Sequence, residues 1–261
     1  MDDIAKYNVN RWRALASAGA IFTRPDFKLD RDSASHRLDP EGKFGELAGK
    51  EVLCLAGGGG QQSVAFALLG AKVTVVDLSE EQLQRDTEAA THYNLKLNLV
   101  RSDMRDLSAL NQNAFDIVHH SYSLNFVRDA GAVFREVARV LRTGGVYWFH
   151  CANPASIGIR QWDWNGTGYV LTLPYLDEAE IVYPDEPWVF KGEHPVHAIP
   201  PCKEYRHTLS TIVKGLTKHG LRITDLTEEN FGIPDSNGEP CSPEHRSAFA
   251  PPWLIVWAEK G

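Results

Sequence analysis

The chain has 261 residues, of which 43% are apolar, so it is long enough to bury the core of one large domain or two small ones. Its formal net charge is −7 at pH 7. This balance argues against nucleic acid or an anionic membrane surface as the main partner, because both attract a basic face. No apolar run approaches the roughly 20 residues of a membrane-spanning helix.

The first residues, MDDIAKYNVNRW, are acidic and contain no apolar segment, so we expect no secretory signal here. The cysteines are far apart and form no CxxC pair, which favours free thiols in a reducing compartment. We therefore predict a cytoplasmic protein. The four cysteines are Cys54, Cys151, Cys202 and Cys241.

Strands alternate with helices in the first part of the chain. A helix is predicted in YNVNRWRALASAG, and apolar segments predict strands at residues 49–56, 71–79, 97–103, 114–121 and 145–153. The intervening helices are predicted at residues 61–70, after the capping residue Ser79, and at residues 130–145. Such alternation predicts a parallel sheet with helices on both faces, whose ligands bind beyond the carboxyl ends of the strands.

The composition changes after Asn153. Residues 154–206 are rich in proline, glycine and aromatic side chains, and TGYVLTLPY and AEIVYPD predict strands of a small antiparallel layer. The α/β pattern then returns with a helix at residues 207–220 and strands in LRITDLTEE and PPWLIVWAEK. A loop-rich block inserted between two parts of a sheet predicts a lid or substrate wall.

A run of four glycines, residues 57–60, follows the first predicted strand. Glycine permits a positive φ or a close approach of the backbone, so the amides of this turn can face an anion or a cofactor edge. Asp77 ends the second strand, where a carboxylate can accept both ribose hydroxyls of an adenosine group. Asp103 ends the third strand and is a candidate for the adenine amino group. The alternative is that both carboxylates only cap the following turns.

These segments, in order, resemble the class I S-adenosylmethionine (SAM) dependent methyltransferases that act on small molecules. VLCLAGGGG stands where that family has a strand and a glycine loop, VTVVDLS at its ribose-binding strand end, and RSDMRDL at its adenine-binding segment. FDIVHHSYSLNFVRD matches its fourth strand, and VFREVARVLRTGGVYWF its helix and fifth strand. The resemblance covers residues 47–153, and residues 207–261 fit the family's last helix and strands.

The resemblance implies a Rossmann-like, doubly wound α/β fold with a seven-stranded sheet, mostly parallel and with an antiparallel last strand. We predict an N-terminal helical cap at residues 1–46 and a SAM-binding core at residues 47–153. The substrate-covering insertion, expected to be an antiparallel lid, is residues 154–206, and residues 207–261 complete the sheet.

SAM is the implied cofactor, and S-adenosylhomocysteine (SAH) the product. The glycines would line the methionine moiety of SAM. The carboxylates and the residues next to them would contact the ribose and the adenine, and a residue at the end of the fourth strand would contact the amino group. These cofactor residues are Gly57, Gly58, Gly60, Asp77, Leu78, Asp103, Met104 and His120. The chain departs from the family at Cys54, where an acidic residue is usual, and at Ala56, where the first loop glycine is usual.

Methyl transfer is an in-line displacement that requires alignment of the reactants and exclusion of water, and a base only if the nucleophile must lose a proton. HHSYSLNF leaves the fourth strand toward the site. Because side chains alternate along a strand, only one of its two histidines faces the site, and we predict His120, with Tyr122 as a second catalytic candidate. The alternative is that His120 only shapes the loop.

Candidate substrate contacts come from three segments. The N-terminal helix carries polar and aromatic side chains that can contact an acceptor. The loop after the fourth strand carries a side-chain amide, and the insertion carries several tryptophans. The alternative is that the tryptophans form the core of the lid. The predicted residues are Tyr7, Arg11, Trp12, Asn125, Trp162 and Trp164.

The segment EHPVHAIPPC places His194 and His197 near a cysteine, but it lacks a defined fourth ligand, so we predict no metal site. We expect a methyltransferase with a small-molecule acceptor, and neither nucleic acid nor membrane as partner. The alternatives are a non-catalytic SAM-binding subunit that supports a partner enzyme and an NAD-dependent oxidoreductase, whose G-x-G-x-x-G pattern the chain does not satisfy.

We also predict that residues 1–46 and 154–206 together close the acceptor pocket over the sheet. Trp12, His120 and Tyr122 would then share one cavity with some of Trp162, Trp164 and Trp188.

Overall fold

A computed structural model describes residues 1–160, 162–185, 187–190 and 198–261. His194 and His197 lie outside the described residues, as does the side chain of Trp188. Within these ranges, no helix has the length and apolar character needed to cross a membrane.

The strands are β1 (Glu51–Leu55), β2 (Lys72–Asp77), β3 (Leu97–Arg101), β4 (Phe115–His120), β5 (Leu141–Ala152), β6 (Glu180–Tyr183), β7 (Cys202–Tyr205), β8 (Leu221–Glu229) and β9 (Trp253–Lys260). A seven-stranded sheet forms the centre of the fold, in the order β3-β2-β1-β4-β5-β9-β8. β9 runs antiparallel to both of its neighbours, and the remaining pairs are parallel. The predicted sheet and its antiparallel last strand are therefore confirmed.

Except for the helix at Gln62–Leu68, the α-helices begin at polar residues whose side chains accept a backbone N–H of the first turn. Ser79, predicted as a cap, accepts from the Gln82 amide. Asp2 caps the first helix in the same way, because its carboxylate accepts the Ala5 N–H. The helices are α1 (Asp3–Ser17), α2 (Arg31–Leu38), α3 (Gln62–Leu68), α4 (Glu80–His92), α5 (Ala130–Val140), α6 (Leu209–Lys218) and α7 (Pro243–Phe249).

Each face of the sheet has its own apolar core. On one face Leu53, Val118 and Phe149 pack beneath α5 and α6. On the other face Cys54 of β1 packs in a second cluster with Phe66 of α3 and with residues of α2. Burial raises the pKa of the Cys54 thiol, so a neutral side chain stands where the family usually has an acid.

Several elements differ from the sequence prediction. α5 ends at Val140 because Leu141 already has extended backbone and pairs with Phe115 of β4. TGYVLTLPY forms no strand, and its Leu171 is 62% exposed; only an isolated bridge joins Trp164 and Tyr169. The antiparallel layer is instead made by β6 with β7, a strand that the sequence did not predict. α2 and α7 were not predicted either.

Candidate active site

A cavity of about 560 Å³ lies beyond the carboxyl ends of β1, β2 and β4. Its outer part is lined by the glycine turn and by the segments that follow β2 and β3. Its inner part is lined by side chains of β4 and β5, the small β6–β7 sheet and Trp253. The N-terminal helix α1 covers it, so the cavity has the size and enclosure of a small-molecule site.

Gly58 holds the glycine turn against the end of β2. Its N–H donates to Oδ2 of Asp77 over 2.9 Å, and a Cβ at this position would lie 2.7 Å from the Cβ of Gln82. Ala56 takes a positive φ of 44°, the left-handed conformation that glycine adopts more easily. The alanine at this position therefore adopts the left-handed conformation that the turn requires.

Gly59 and Gly60 donate their N–H groups to the buried carboxylate of Asp86 on α4, at 3.0 and 3.2 Å, and the Ser63 hydroxyl donates to it as well. Burial raises the pKa of Asp86 to about 7. A Cβ on Gly60 would lie 2.7 Å from the Arg85 carbonyl oxygen, so this glycine is needed for packing on α4. Gly60 does not line the cavity, and its prediction as a cofactor residue is corrected.

Sequence reasoning missed Asp86, although a signal was present. It lies on the same helix face as Leu83 and Ala90, which are buried. A lone acidic side chain on an apolar stripe needs donors, and the glycine amides are those donors.

Asp77 is positioned by backbone donors on both oxygens. Oδ1 accepts the Ser79 N–H over 2.8 Å, and Oδ2 accepts that of Gly58. Burial raises the pKa of this carboxyl to about 6. Each ionised oxygen retains a further lone pair, and the side chain lines the cavity, so Asp77 is suited to accept a pair of hydroxyls.

Asp103 is engaged in an ion-pair chain that reaches α1. Its carboxylate accepts from Arg105 over 2.6 Å, and Arg105 also donates to Asp2, the cap of α1, over 2.7 Å. Asp103 lines the cavity together with Leu78 and Met104, as predicted for cofactor residues. Contact of Asp103 with an adenine amino group remains a prediction.

The two histidines of β4 face opposite sides of the sheet. His119 faces the cavity, where His120 was predicted. His119 lines the cavity and stacks on Trp148 at 4.2 Å, with 13° between the ring planes. His120 is buried on the other face, with Nδ1 2.8 Å from the Tyr147 hydroxyl. Burial lowers the pKa of each histidine to about 3, so both are neutral at physiological pH.

The prediction of the His120 side chain as a catalytic group in the cavity is therefore wrong. Val118 of β4 points into the core under α5. Because side chains alternate along a strand, His119 points to the opposite face and His120 points to the same face as Val118. A one-residue error in the predicted phase exchanges the two faces of a strand.

The inner end of the cavity is built around Glu204 on β7, a residue that sequence reasoning missed because no strand was predicted at CKEY. The Tyr122 hydroxyl donates to Oε2 of Glu204 over 3.0 Å. Tyr183 and Cys202 line the same end. Tyr122 is thus in the cavity, as predicted.

Two of the predicted residues on α1 cover the cavity. Arg11 forms a buried ion pair with Asp185, with Nη1 2.9 Å from the carboxylate, and Trp12 meets Phe22 edge-on with ring centroids 5.6 Å apart. The Tyr7 hydroxyl instead donates to the carbonyl of Pro201, and Tyr7 does not line the cavity.

The remaining predicted substrate residues also lie outside the cavity. Asn125 is buried and joins chain segments, since its amide donates to the Tyr205 carbonyl and its oxygen accepts the Ala152 N–H. Trp162 is 54% exposed, and Trp164 packs edge-on against His245. Trp162 and Trp164 therefore do not share the cavity with Trp12 and Tyr122. Among the described residues, no three His, Cys, Asp or Glu side chains cluster as metal ligands would.

A doubly wound sheet with a glycine turn, an acid at the end of β2 and a cavity above them defines an α/β protein that binds an adenosine-containing cofactor. Comparison with known proteins gives the class in more detail. Residues 53–149 match the family model described as "Methyltransferase domain".

The chain is 30% identical to the uncharacterized methyltransferase YbaJ of Bacillus subtilis over 197 residues, which is 74% of each chain. It is 32% identical over 130 residues to the ubiquinone biosynthesis O-methyltransferase of Xanthomonas oryzae pv. oryzae, which covers 49% of this chain and 52% of that protein.

Among solved structures, a putative SAM-dependent methyltransferase from Listeria monocytogenes superimposes with a TM-score of 0.63 at 23% identity, over 88% of this chain and 99% of that one. Magnesium protoporphyrin IX methyltransferase from Synechocystis PCC 6803, with bound SAH, gives 0.55 at 16% identity, over 88% and 83%. At these identities the likeness concerns the fold.

The chain belongs to the class I SAM-dependent methyltransferases. It is thus an enzyme of the methyl-transferring class, and SAM is its cofactor. The residues present fit SAM, because Asp77 offers oriented acceptor oxygens and Gly58 lets the backbone pass without a Cβ clash.

Proposed function

We propose that this enzyme methylates a small-molecule acceptor held at the inner end of the cavity. The observation that carries the proposal is the continuity of the cavity, which runs from Asp77 at the glycine turn to Glu204 behind β4 and β5. The covering elements α1 and β6–β7 leave room for a compact acceptor rather than a polymer.

The side chains divide the work between binding and exclusion of water. Bound SAM supplies an electrophilic methyl group on a sulfonium. Asp77 accepts hydroxyl hydrogens, Gly57 and Gly58 give the backbone access, and Leu78 and Met104 provide apolar contact for a planar ring. Trp12 covers the cavity, and Tyr122 orients groups at its inner end. In-line displacement needs this alignment more than it needs a fixed catalytic group.

The alternative of a non-catalytic SAM-binding subunit is less well supported, because a support protein has no need of a polar inner pocket beside the cofactor site. Membership of the family disfavours the NAD-dependent oxidoreductase. The Xanthomonas relative is named for an O-methyltransferase, but the match covers about half of each chain, so its acceptor is not carried over. A cytoplasmic location remains a prediction from the free thiols.

Titration calorimetry with SAM and SAH tests cofactor binding, and a metabolite screen with methyl-labelled SAM tests transfer. We expect binding of both ligands and labelling of a small molecule. The alternative of a non-catalytic SAM-binding subunit would be favoured by two results together. SAM would bind without any labelled product, and a crystal structure would show the inner pocket closed off from the methyl group.

A further inference from the structure

Glu204 is an unusual residue to find at the inner end of the cavity. It is 2% exposed, and it lines the cavity from β7 together with Cys202, two residues before it on the same face of the strand. The hydroxyls of Tyr122 and Tyr183 donate to it. Because an ionised carboxylate only accepts hydrogen bonds, any further partner at this end must be a donor.

Ionisable side chains face Glu204 from the elements around it. Among the described residues, none of these side chains offers Glu204 a positive charge that is not already paired. Tyr122, Tyr183, Cys202 and Cys151 are neutral, because burial raises the pKa of each. Arg11 on α1 is a nearby cation, but its guanidinium binds Asp185 through two nitrogens.

The histidines lining the cavity do not compensate Glu204 either. Burial lowers the pKa of His119 to about 3 and that of His150 to about 4. The walls around them are aromatic, with Trp148 stacked on His119 and Trp253 edge-on to His150. A buried carboxylate within aromatic walls is the arrangement that binds an organic ammonium ion, through ion pairing and cation–π contact.

We propose that the acceptor enters as a protonated amine, with Glu204 as its counter-ion and the base that takes its proton. This rests on the proposed function, since it names the substrate class of the same cavity. The N–H bond breaks, its electron pair stays on nitrogen as the lone pair that methylation requires, and the proton ends on a carboxylate oxygen of Glu204. Burial raises the pKa of Glu204, which makes its carboxylate a better base than an exposed one.

The test uses the full-length protein saturated with SAH and three probes of similar shape: benzylamine, benzyl alcohol and benzoate. Binding of each is measured by calorimetry at pH 7.5, where the first is a cation, the second neutral and the third an anion. We expect affinity to fall in that order, with benzylamine about tenfold or more tighter than benzoate, because the ammonium forms a charge-assisted hydrogen bond with Glu204, whereas the benzoate carboxylate is repelled by it.

The variant E204Q removes the charge and keeps the shape. It should weaken benzylamine binding by about tenfold or more and change benzyl alcohol binding little. E180Q is the matched control: Glu180 on the neighbouring strand also accepts a tyrosine hydroxyl at 3.0 Å, from Tyr205, but lies outside the cavity. It should bind benzylamine as the parent does.

Benzoate binding as tight as benzylamine, or E204Q with unchanged benzylamine affinity, overturns the inference. If E204Q does not fold, the three probes on the parent protein decide alone. Failure of SAH to bind contradicts the proposed function instead, so the two failures are distinguishable.

Discussion

The Gly58 N–H and the Asp77 carboxylate are joined by a 2.9 Å hydrogen bond, so the glycine turn and the acid at the end of β2 form one unit. A Cβ on Gly58 would lie 2.9 Å from the same carboxylate oxygen. The residue that permits the backbone path therefore also sets the position of the acid.

Gly58→Ala should weaken SAH binding by about tenfold or more, because the new methyl group displaces Asp77 or Gln82 from its place. Calorimetry measures the affinity. Gly168→Ala serves as a control for the loss of a glycine, since Gly168 is not among the positive-φ glycines and a Cβ there meets nothing within 4 Å. Equal SAH affinity in Gly58→Ala and the parent would show that the turn adapts without cost to the site.

Asp77→Ala should lower SAH affinity by about 30- to 150-fold, which corresponds to about 2–3 kcal/mol for two hydrogen bonds to a buried ligand. Asp106→Ala, which changes an exposed aspartate whose carboxylate accepts the Ser108 N–H, is the control. An unchanged affinity in Asp77→Ala would remove this residue from the cofactor site.

The affinity for SAH should also depend on pH through Asp77. The pKa of this carboxyl is raised to about 6, and only the ionised form accepts two hydroxyl hydrogens. Affinity should therefore be constant above pH 7 and fall as the pH drops through 6, by up to about tenfold per unit. In Asp77→Asn this decline should disappear, and a parent profile that is flat from pH 8 to 5 contradicts the assignment.

Asp86→Ala should destabilise the protein by about 2 kcal/mol or more, because it leaves two glycine amides and the Ser63 hydroxyl unsatisfied in the interior. Urea unfolding measures the free energy. Glu88→Ala on the same helix removes only a surface ion pair with Arg85 and should cost about 1 kcal/mol at most. Equal losses in the two variants would mean that Asp86 does not hold the turn.

Arg105→Gln should loosen the first turn of α1, since Arg105 links its cap, Asp2, to Asp103. Hydrogen exchange should be faster around residues 2–8 in the variant, and in the parent it should slow when SAH binds. Lys6→Gln, which breaks an exposed pair with Asp3 on the same helix, is the control. Identical exchange in the parent with and without SAH would contradict closure by α1.

The sheet and the outer half of the cavity could be predicted because their signals are local. A buried strand, a glycine turn and an acid at the next strand end are read from consecutive residues, and Asp77 and Gly58 are where the pattern places them. The choice between His119 and His120 could not be made in this way, because it depends on which face of β4 meets α5, and a shift of one residue reverses it.

Glu204 was missed for a different reason. β7 is a strand only through its pairing with β6, as in the register of Ile181 with Glu204, and the two strands are separated by a long stretch of chain. A four-residue strand has little pattern of its own, so tertiary context decides its structure.

The aromatic lining has a practical consequence. Trp12, Trp148 and Trp253 all line the cavity, at its cover and along its inner wall, and Trp148 carries a neutral histidine stacked on its ring. A ligand that enters replaces water beside these indoles, so the intrinsic fluorescence of the protein is a built-in reporter of occupancy. Substituting the three tryptophans by phenylalanine one at a time would separate the fluorescence of the tryptophan at the cover of the cavity from that of the two along its inner wall. No attached dye is needed.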